Sequence, residues 1–333
     1  NQNTGFGSNL LRAITTGDGN IAIGSSILQA TTTGAYNVGI GLETLEANTA
    51  GFQNNAIGVG ALQGIAGGTS QFNQAMGTNA LQSAQSVINA VAIGNFAAAS
   101  FTTGVGTTAI GGTALVSTVA GTQNSAISSQ ALRESTSVIA SFGAITPGSG
   151  YTDGTYSGVE LEVNYTRPYS SIVGGFIPTA DITVSGGVVT VVTLVNPGKG
   201  IRTGTICTIL AATAPAGLLT GSGFSIPVAT LLSADRNTAL GFEAGRLNIT
   251  GSRNVFLGYA AGRSETTSDN LYISNTNTST PLIKGKFDSA GGNAGSVRIY
   301  GDLQLTTKTP ASASATGTVG TITYDTDYIY ICV

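Results

Sequence analysis

The sequence predicts an all-β chain built as a β-solenoid or β-roll of 17-residue coils, and three observations predict it. A pentapeptide, Asn-x-(Ala/Gly)-Ile-Gly, recurs at a fixed interval. Two apolar columns keep phase with it. Glycine supplies 48 of the 333 residues, about twice the usual ~7%. The clearest copies are Asn20–Gly24, Asn37–Gly41, Asn54–Gly58 and Asn73–Gly77, the last with Met76 in the isoleucine place. Weaker copies end at Gly7, Gly94, Gly111, Ser128, Gly241, Gly258 and Ser274. Successive intervals are 17, 17, 17, 19, 17, 17, 17, 113, 17 and 16 residues.

Seventeen residues cannot hold two helices, and Gly or Asn breaks each unit every few positions. The unit therefore reads as one coil: a short strand, a tight glycine turn, a second short strand and a Thr-Thr-Gly loop. The isoleucine column (Ile23, Ile40, Ile57, Met76, Ile93, Ile110, Ile127, Leu240, Leu257, Ile273) is expected to stack inside the coil. The leucine column (Leu11, Leu28, Leu45, Leu62, Leu81, Leu115, Leu132) is expected to stack with it. A single coil cannot bury its own apolar face, whereas a stack of eleven can. The glycine after isoleucine supplies a positive φ or a close backbone approach. The recurrent asparagine tolerates left-handed geometry and can ladder its amide from coil to coil.

Just before the isoleucine column runs a stripe of small residues: Gly5, Ala22, Gly39, Ala56, Ala75, Ala92, Ala109, Ala126 and Ala239. Strand alternation points it opposite to isoleucine. With isoleucine inside, the alanines become candidate contacts of a homotrimer; the alternative is that the stripe is the narrower interior side of the coil. The column ends in Phe256 and Tyr272, so its packing partner changes near the end of the stack.

The interval of 113 is one coil plus 96 residues. The organisation is therefore solenoid over 1–136, an insertion over 137–232, solenoid again over 233–274, and a C-terminal β tip or cap over 275–333. An insertion costs least at a loop tip. Within it, Ile182 to Val195 alternates as a hairpin turning at Ser185-Gly-Gly187. The pattern Gly-x-Gly-(Tyr/Ile)-x-x-Gly-Thr-(Tyr/Ile) occurs at Gly148–Tyr156 and again at Gly198–Ile206, which predicts a small antiparallel β-domain with two related halves.

Composition excludes several functions. Thirteen Lys and Arg in a chain of net charge −3 leave no electrostatic footprint for nucleic acid or anionic lipid. With no histidine there is no Ser-His-Asp triad, no histidine metal site and no histidine base. Hydrophobic residues at 41% argue against disorder, and no apolar run approaches the ~18 residues of a membrane span. Cys207 and Cys332 lie in different modules and are expected to be unpaired thiols. No methionine precedes Met76, so the chain reads as a processed product or a fragment.

The Asn-x-Ala-Ile-Gly units resemble the left-handed β-roll repeats in the heads of trimeric autotransporter adhesins, whose units are usually shorter. The longer unit, with its Ala-Leu and Thr-Thr-Gly, resembles repeats of bacteriophage tail-fibre proteins, especially marine ones. The stretch from Asp269 to Ile283 is similar to one found in such fibres, and Gly317 to Cys332 is similar to a closing segment of cyanophage appendage proteins. The resemblance implies a homotrimeric virion appendage, extracellular, whose partners are its own copies, other virion proteins and a host surface glycan or protein.

Candidate chemistry is sparse. No nucleotide-binding glycine loop is present, and no cofactor or metal is expected. Glu160 and Glu162 share one strand face ~7 Å apart, near a glycosidase spacing, but read as solvated. Asp325 and Asp327 lack a calcium-loop pattern. Arg236 and Arg253, and Arg246 and Arg263, should stack one coil apart, with Asp235, Glu243, Glu265 and Asp269 as counter-charges. Tyr151, Tyr156, Tyr165, Tyr169 and Phe176 could offer stacking faces to a sugar, with Arg167 in the most exposed loop, Tyr165–Ser170. The alternative for these rings is core packing. The resulting reading is a non-enzymatic phage tail or head fibre for host attachment. The alternatives are a bacterial trimeric surface adhesin and a polysaccharide-degrading tailspike.

Overall fold

The computed structural model describes residues 2–64, 70–163, 177–201, 205–287 and 295–300, with two further strands at 322–324 and 329–331. The chain is all-β, with a single 3-10 turn at Ala216–Leu218 among the described residues. Stacked coils of about 17 residues form a β-solenoid. Each of the eleven repeat copies supplies one short parallel strand to a thirteen-stranded sheet. The last two strands of that sheet, Ile283–Lys286 and Ser296–Ile299, run antiparallel and end it.

Register is set by the repeat without a slip. Phe6 pairs with Ile23, Ile23 with Ile40, Ile40 with Ile57, and the column continues in this way to Ile273. The 19-residue interval leaves it undisturbed, since Ile57 pairs with Met76. So does the 113-residue interval, since Ile127 pairs with Leu240.

The facing of the strands is the reverse of the sequence expectation. Ala22, Ala56, Ala75, Ala92, Ala109, Ala126 and Ala239 are buried inside a single chain, so they are core residues and not an interface. Ile23, Ile57, Met76, Ile93, Ile127 and Leu240 stand outside, 37–50% exposed. Space explains the inversion. The interior is filled from the opposite side of the coil by Leu28, Leu45, Leu62, Leu81, Leu115 and Leu132, all fully buried. Little more than a methyl group fits beneath the strand: a Cβ on Gly39 would press on the Ile27 side chain.

The expected second strand is absent from the described coils. Two short strands, Ser86–Ile88 and Thr103–Val105, pair in parallel at the place of the Thr-Thr-Gly loop instead, and the leucine segment is a run of turns. In this run the column leucines themselves adopt left-handed backbone, as in Leu28 (φ 52°), Leu45 (54°) and Leu115 (52°). That conformation costs roughly 1–2 kcal/mol per residue. Full burial of a leucine returns about 1.5–3 kcal/mol, and the backbone is bonded coil to coil, for example Leu45 N–H to the Ala61 carbonyl at 3.1 Å. The glycine after the isoleucine column does take positive φ, 132° at Gly24, and a Cβ there would overlap the Gly41 carbonyl oxygen.

The asparagines form a buried ladder. The Asn37 amide nitrogen donates to Asn20 Oδ1 at 3.1 Å and to the Gly51 carbonyl at 2.8 Å. Its backbone N–H donates to the same Asn20 oxygen at 3.0 Å. The pattern repeats at Asn54 and Asn73, breaks where Ala90 and Thr107 replace asparagine, and resumes at Asn237 and Asn270. The left-handed residue is the one before each asparagine, as at Tyr36, Gln53 and Arg253, rather than the asparagine itself.

Between Val138 and Leu232 the chain forms a separate seven-stranded antiparallel sheet with its own core around Leu161, Ile182, Phe224 and Ile226. Its first and last strands pair with each other, Val138 opposite Leu232, so the chain leaves and re-enters the stack at adjacent points. The hairpin turns at Gly186-Gly187, whose N–H groups donate to the Asp153 carboxylate at 3.0 and 2.8 Å. These bonds hold the Asp153 carboxyl below its usual range. Tyr151 and Ile201, equivalent positions of the two glycine patterns, are buried in the same core.

Candidate functional site

Three places carry chemistry or unpartnered surface. The first is the isoleucine column. Eleven rows at ~4.8 Å give an apolar stripe roughly 48 Å long on the outside of the parallel sheet. Exposed aromatics accompany it on other faces: Tyr36, the edge-to-face pair Phe52 and Phe72 at 5.2 Å, and the stacked pair Phe242 and Tyr259 at 5.7 Å. The coil surface is therefore richer in large groups than the repeat alone suggests.

The second is the insertion. Tyr151 is a core residue: it is 7% exposed, lies against Gly221, and its hydroxyl accepts the Phe224 N–H at 3.1 Å. It offers no stacking face. Tyr156 is half-buried over Gly217 and donates to the Thr152 carbonyl at 2.8 Å, so it also serves packing. Tyr165, Arg167, Tyr169 and Phe176 lie outside the described residues, as do Asp325, Asp327 and Cys332. Glu160 accepts a bond from Thr213 Oγ1 at 2.8 Å, and Glu162 is exposed beside it on the same strand. Cys207 is a free, buried thiol that burial pushes up to about 11.

Three of the four stacked arginines have counter-charges, supplied by two of the four expected carboxylates, Asp269 and Glu243. Arg253 grips Asp269 with two bonds, 2.6 and 2.8 Å. Glu243 sits between Arg246 at 2.7 Å and Arg263 at 2.9 Å. Arg236 instead meets Gln123 at 3.2 Å. The pairs of Arg253 with Asp269 and of Arg263 with Glu243 link neighbouring coils, and all of these charges are matched within the stack.

The third place, unmarked by any motif, is the end of the stack. The inward column that is alanine through most of the chain becomes Phe256 and then Tyr272. Register then carries it onto Lys284 and Arg298 in the two closing strands. The Tyr272 hydroxyl donates to Glu265 Oε2 at 2.7 Å, and Lys284 Nζ lies 5.0 Å from the Tyr272 ring centre. Glu265 Oε1 accepts from Thr266 and Thr267 N–H at 3.0 and 2.8 Å. Burial works against the Glu265 charge, but the bonds from Thr267, Tyr272 and Thr266 outweigh it and hold the carboxyl below its ordinary value. One row along, Lys286 donates to the Ser268 carbonyl and to Asn270 Oδ1, the latter at 3.3 Å, closing the asparagine ladder. A cleft of about 320 Å³ is lined by Glu265, Tyr272, Lys284, Asn277, Thr278 and Ser279. A second, of about 180 Å³, is lined by Asn270, Lys284, Lys286, Ser296, Arg298 and Tyr300. A sequence signal for it exists: three of thirteen basic residues fall within fifteen positions.

Among the described residues no group of three or more Cys, Asp or Glu is placed to hold a metal ion. Compared with known proteins, the chain matches no family model, no curated protein and no solved structure. The class defined by the fold is a β-solenoid with a laterally inserted antiparallel sheet.

Proposed function

We propose that the chain is a structural segment of a fibrous appendage, a phage tail or head fibre, that displays binding surfaces to a bacterial host. The observation that carries this reading is the exposed isoleucine column. Soluble single chains rarely leave long contiguous apolar surface in water. A row repeating at strand spacing matches only a partner with the same repeat, and another copy of this chain supplies one. Self-association, as a homotrimer by the resemblance of the repeats, would cover the stripe and yield a stiff rod. The insertion would then project sideways once per chain, so weak contacts to a host glycan or protein would be multiplied by avidity.

The reading assigns no reaction to the chain, and its partners are its own copies, other virion proteins and the host surface. Immunogold electron microscopy with antibody raised against residues 137–232 tests it. Labelled fibres on purified virions are expected, and the soluble protein should compete with virion adsorption. Label confined to bacterial cells would replace it with the adhesin reading.

A further inference from the structure

We propose that the end of the stack is a binding site for a sugar bearing a carboxylate or phosphate group, held by Lys284 and Arg298. The proposal deepens the attachment reading and rests on it for its biological meaning, although the binding itself can be measured alone.

The inward column runs out of the core at the end of the stack. Beyond Tyr272 the inward positions are no longer covered by another coil, and the sequence places Lys284 and Arg298 there, directly opposite each other on antiparallel strands. Like charges in that arrangement repel and destabilise a sheet. A covering role alone would be served by Thr or Gln, which this chain uses freely elsewhere. Lys286 adds a third positive charge in the same cleft. Among the described residues, no carboxylate lies within 4.0 Å of any of the three cations; the ion pairs join other residues. In a chain of net charge −3 with 9% charged residues, this is a local reversal of sign.

The surroundings fit a sugar rather than a bare ion. Lys284 lines both clefts, so one ammonium group sits between a cationic hollow and a hydroxyl- and amide-rich one containing Asn277, Thr278 and Ser279. Tyr300, 44% exposed, offers a ring at the cationic side. An anionic substituent would lie between Lys284 and Arg298, where charge-assisted bonds are strongest. The sugar hydroxyls would meet the neighbouring polar groups. Contact with the Tyr272 hydroxyl and the nearby Glu265 charge raise Lys284 above its usual value, so it stays protonated through the neutral range.

The test titrates the full chain with tri-galacturonate, glucose 6-phosphate and neutral maltotriose by calorimetry at low and high salt. At least one anionic probe should bind, more weakly at high salt, and maltotriose should not. Preference between the two anionic probes distinguishes a uronate polymer from a phosphorylated sugar as the source. Arg298→Gln and Lys284→Gln should each weaken binding at least fivefold, and Arg298→Gln, which relieves the cross-strand repulsion, should not lower the melting temperature. Ser296→Asp, which keeps all three cations but adds a competing carboxylate, should do the same. Equal binding of maltotriose, no binding of either anionic probe, or an unaffected Arg298→Gln or Ser296→Asp variant overturns the site. Cell binding is read on the same proteins. Wild type that binds cells while Arg298→Gln binds them equally well removes the site from attachment. Wild type that binds the anionic probe but no cells leaves the site and removes the attachment reading.

Discussion

Ala126 and Ala239 stand opposite each other in adjacent parallel strands although 113 positions separate them in sequence. Their pairing means that the solenoid is closed across the insertion, with coil stacked on coil as if the intervening chain were one long loop. Asn237 donates to Asn124 Oδ1 at 3.2 Å across the same join, so even the asparagine ladder continues through it.

Excision of the insertion should therefore leave the stack intact. Joining Thr136 directly to Ser233 removes the 96 inserted residues and restores the 17-residue phase. The shortened protein should keep its β-sheet circular dichroism and melt within a few degrees of the full chain. Collapse to an unfolded or aggregated product would show that the seven-stranded sheet is required by the coils.

The asparagine ladder predicts two opposite effects. Asn37→Ala removes the oxygen that accepts from the Asn54 N–H and Nδ2, and the amide that donates to Asn20 Oδ1 and the Gly51 carbonyl, all buried. The Asn54 N–H is left unsatisfied, at ~1–3 kcal/mol, and the other lost bonds add to it, so the loss should reach about 2–4 kcal/mol. Thr107→Asn does the reverse. Thr107 occupies a ladder position with its hydroxyl buried and unpartnered, and an asparagine there should add about 1 kcal/mol. Denaturant melts of the two variants read both signs.

Much of this fold was legible in the sequence because the repeat carries it. Spacing alone fixes which residues stack, and pairing follows it through the 16-, 19- and 113-residue intervals alike. The sign of the alternation was not legible: a two-residue period says that Ala56 and Ile57 face opposite ways, not which one faces in. The deciding fact is three-dimensional, namely that the leucine column already fills a narrow interior. Nor could the repeat reveal that Leu28 and Leu45 sit in left-handed turns, since leucine seldom adopts them. Tyr151 beside glycines reads equally well as an exposed ring or a buried one, and only its fit against Gly221 decides. At the stack's end, Lys284 and Arg298 are brought together by register across two antiparallel strands, which no spacing rule announces.

Glu265 predicts acid sensitivity at that end. Its carboxyl is held below the ordinary value of 4.5 in the folded chain. Stability from such a group is present above the unfolded value and is lost as pH falls through it toward the folded one. Melting temperature should therefore drop more steeply below about pH 4.5 in the wild type than in Glu265→Gln, which has no proton to take up. Parallel curves for the two proteins would assign the acid sensitivity to other carboxylates.

The central claim is that the outward isoleucine column, and not the alanine stripe, is where copies of this chain meet. Light scattering coupled to size-exclusion chromatography tests it on the double variant Ile57→Lys, Ile93→Lys. Both positions are partly exposed in a single chain, so the coil should still fold. Placing charge in a buried self-contact should disrupt it. The account predicts a trimer for the wild type and a folded monomer, by circular dichroism, for the variant. A trimer of unchanged stability in the variant, or a monomeric wild type, would contradict it.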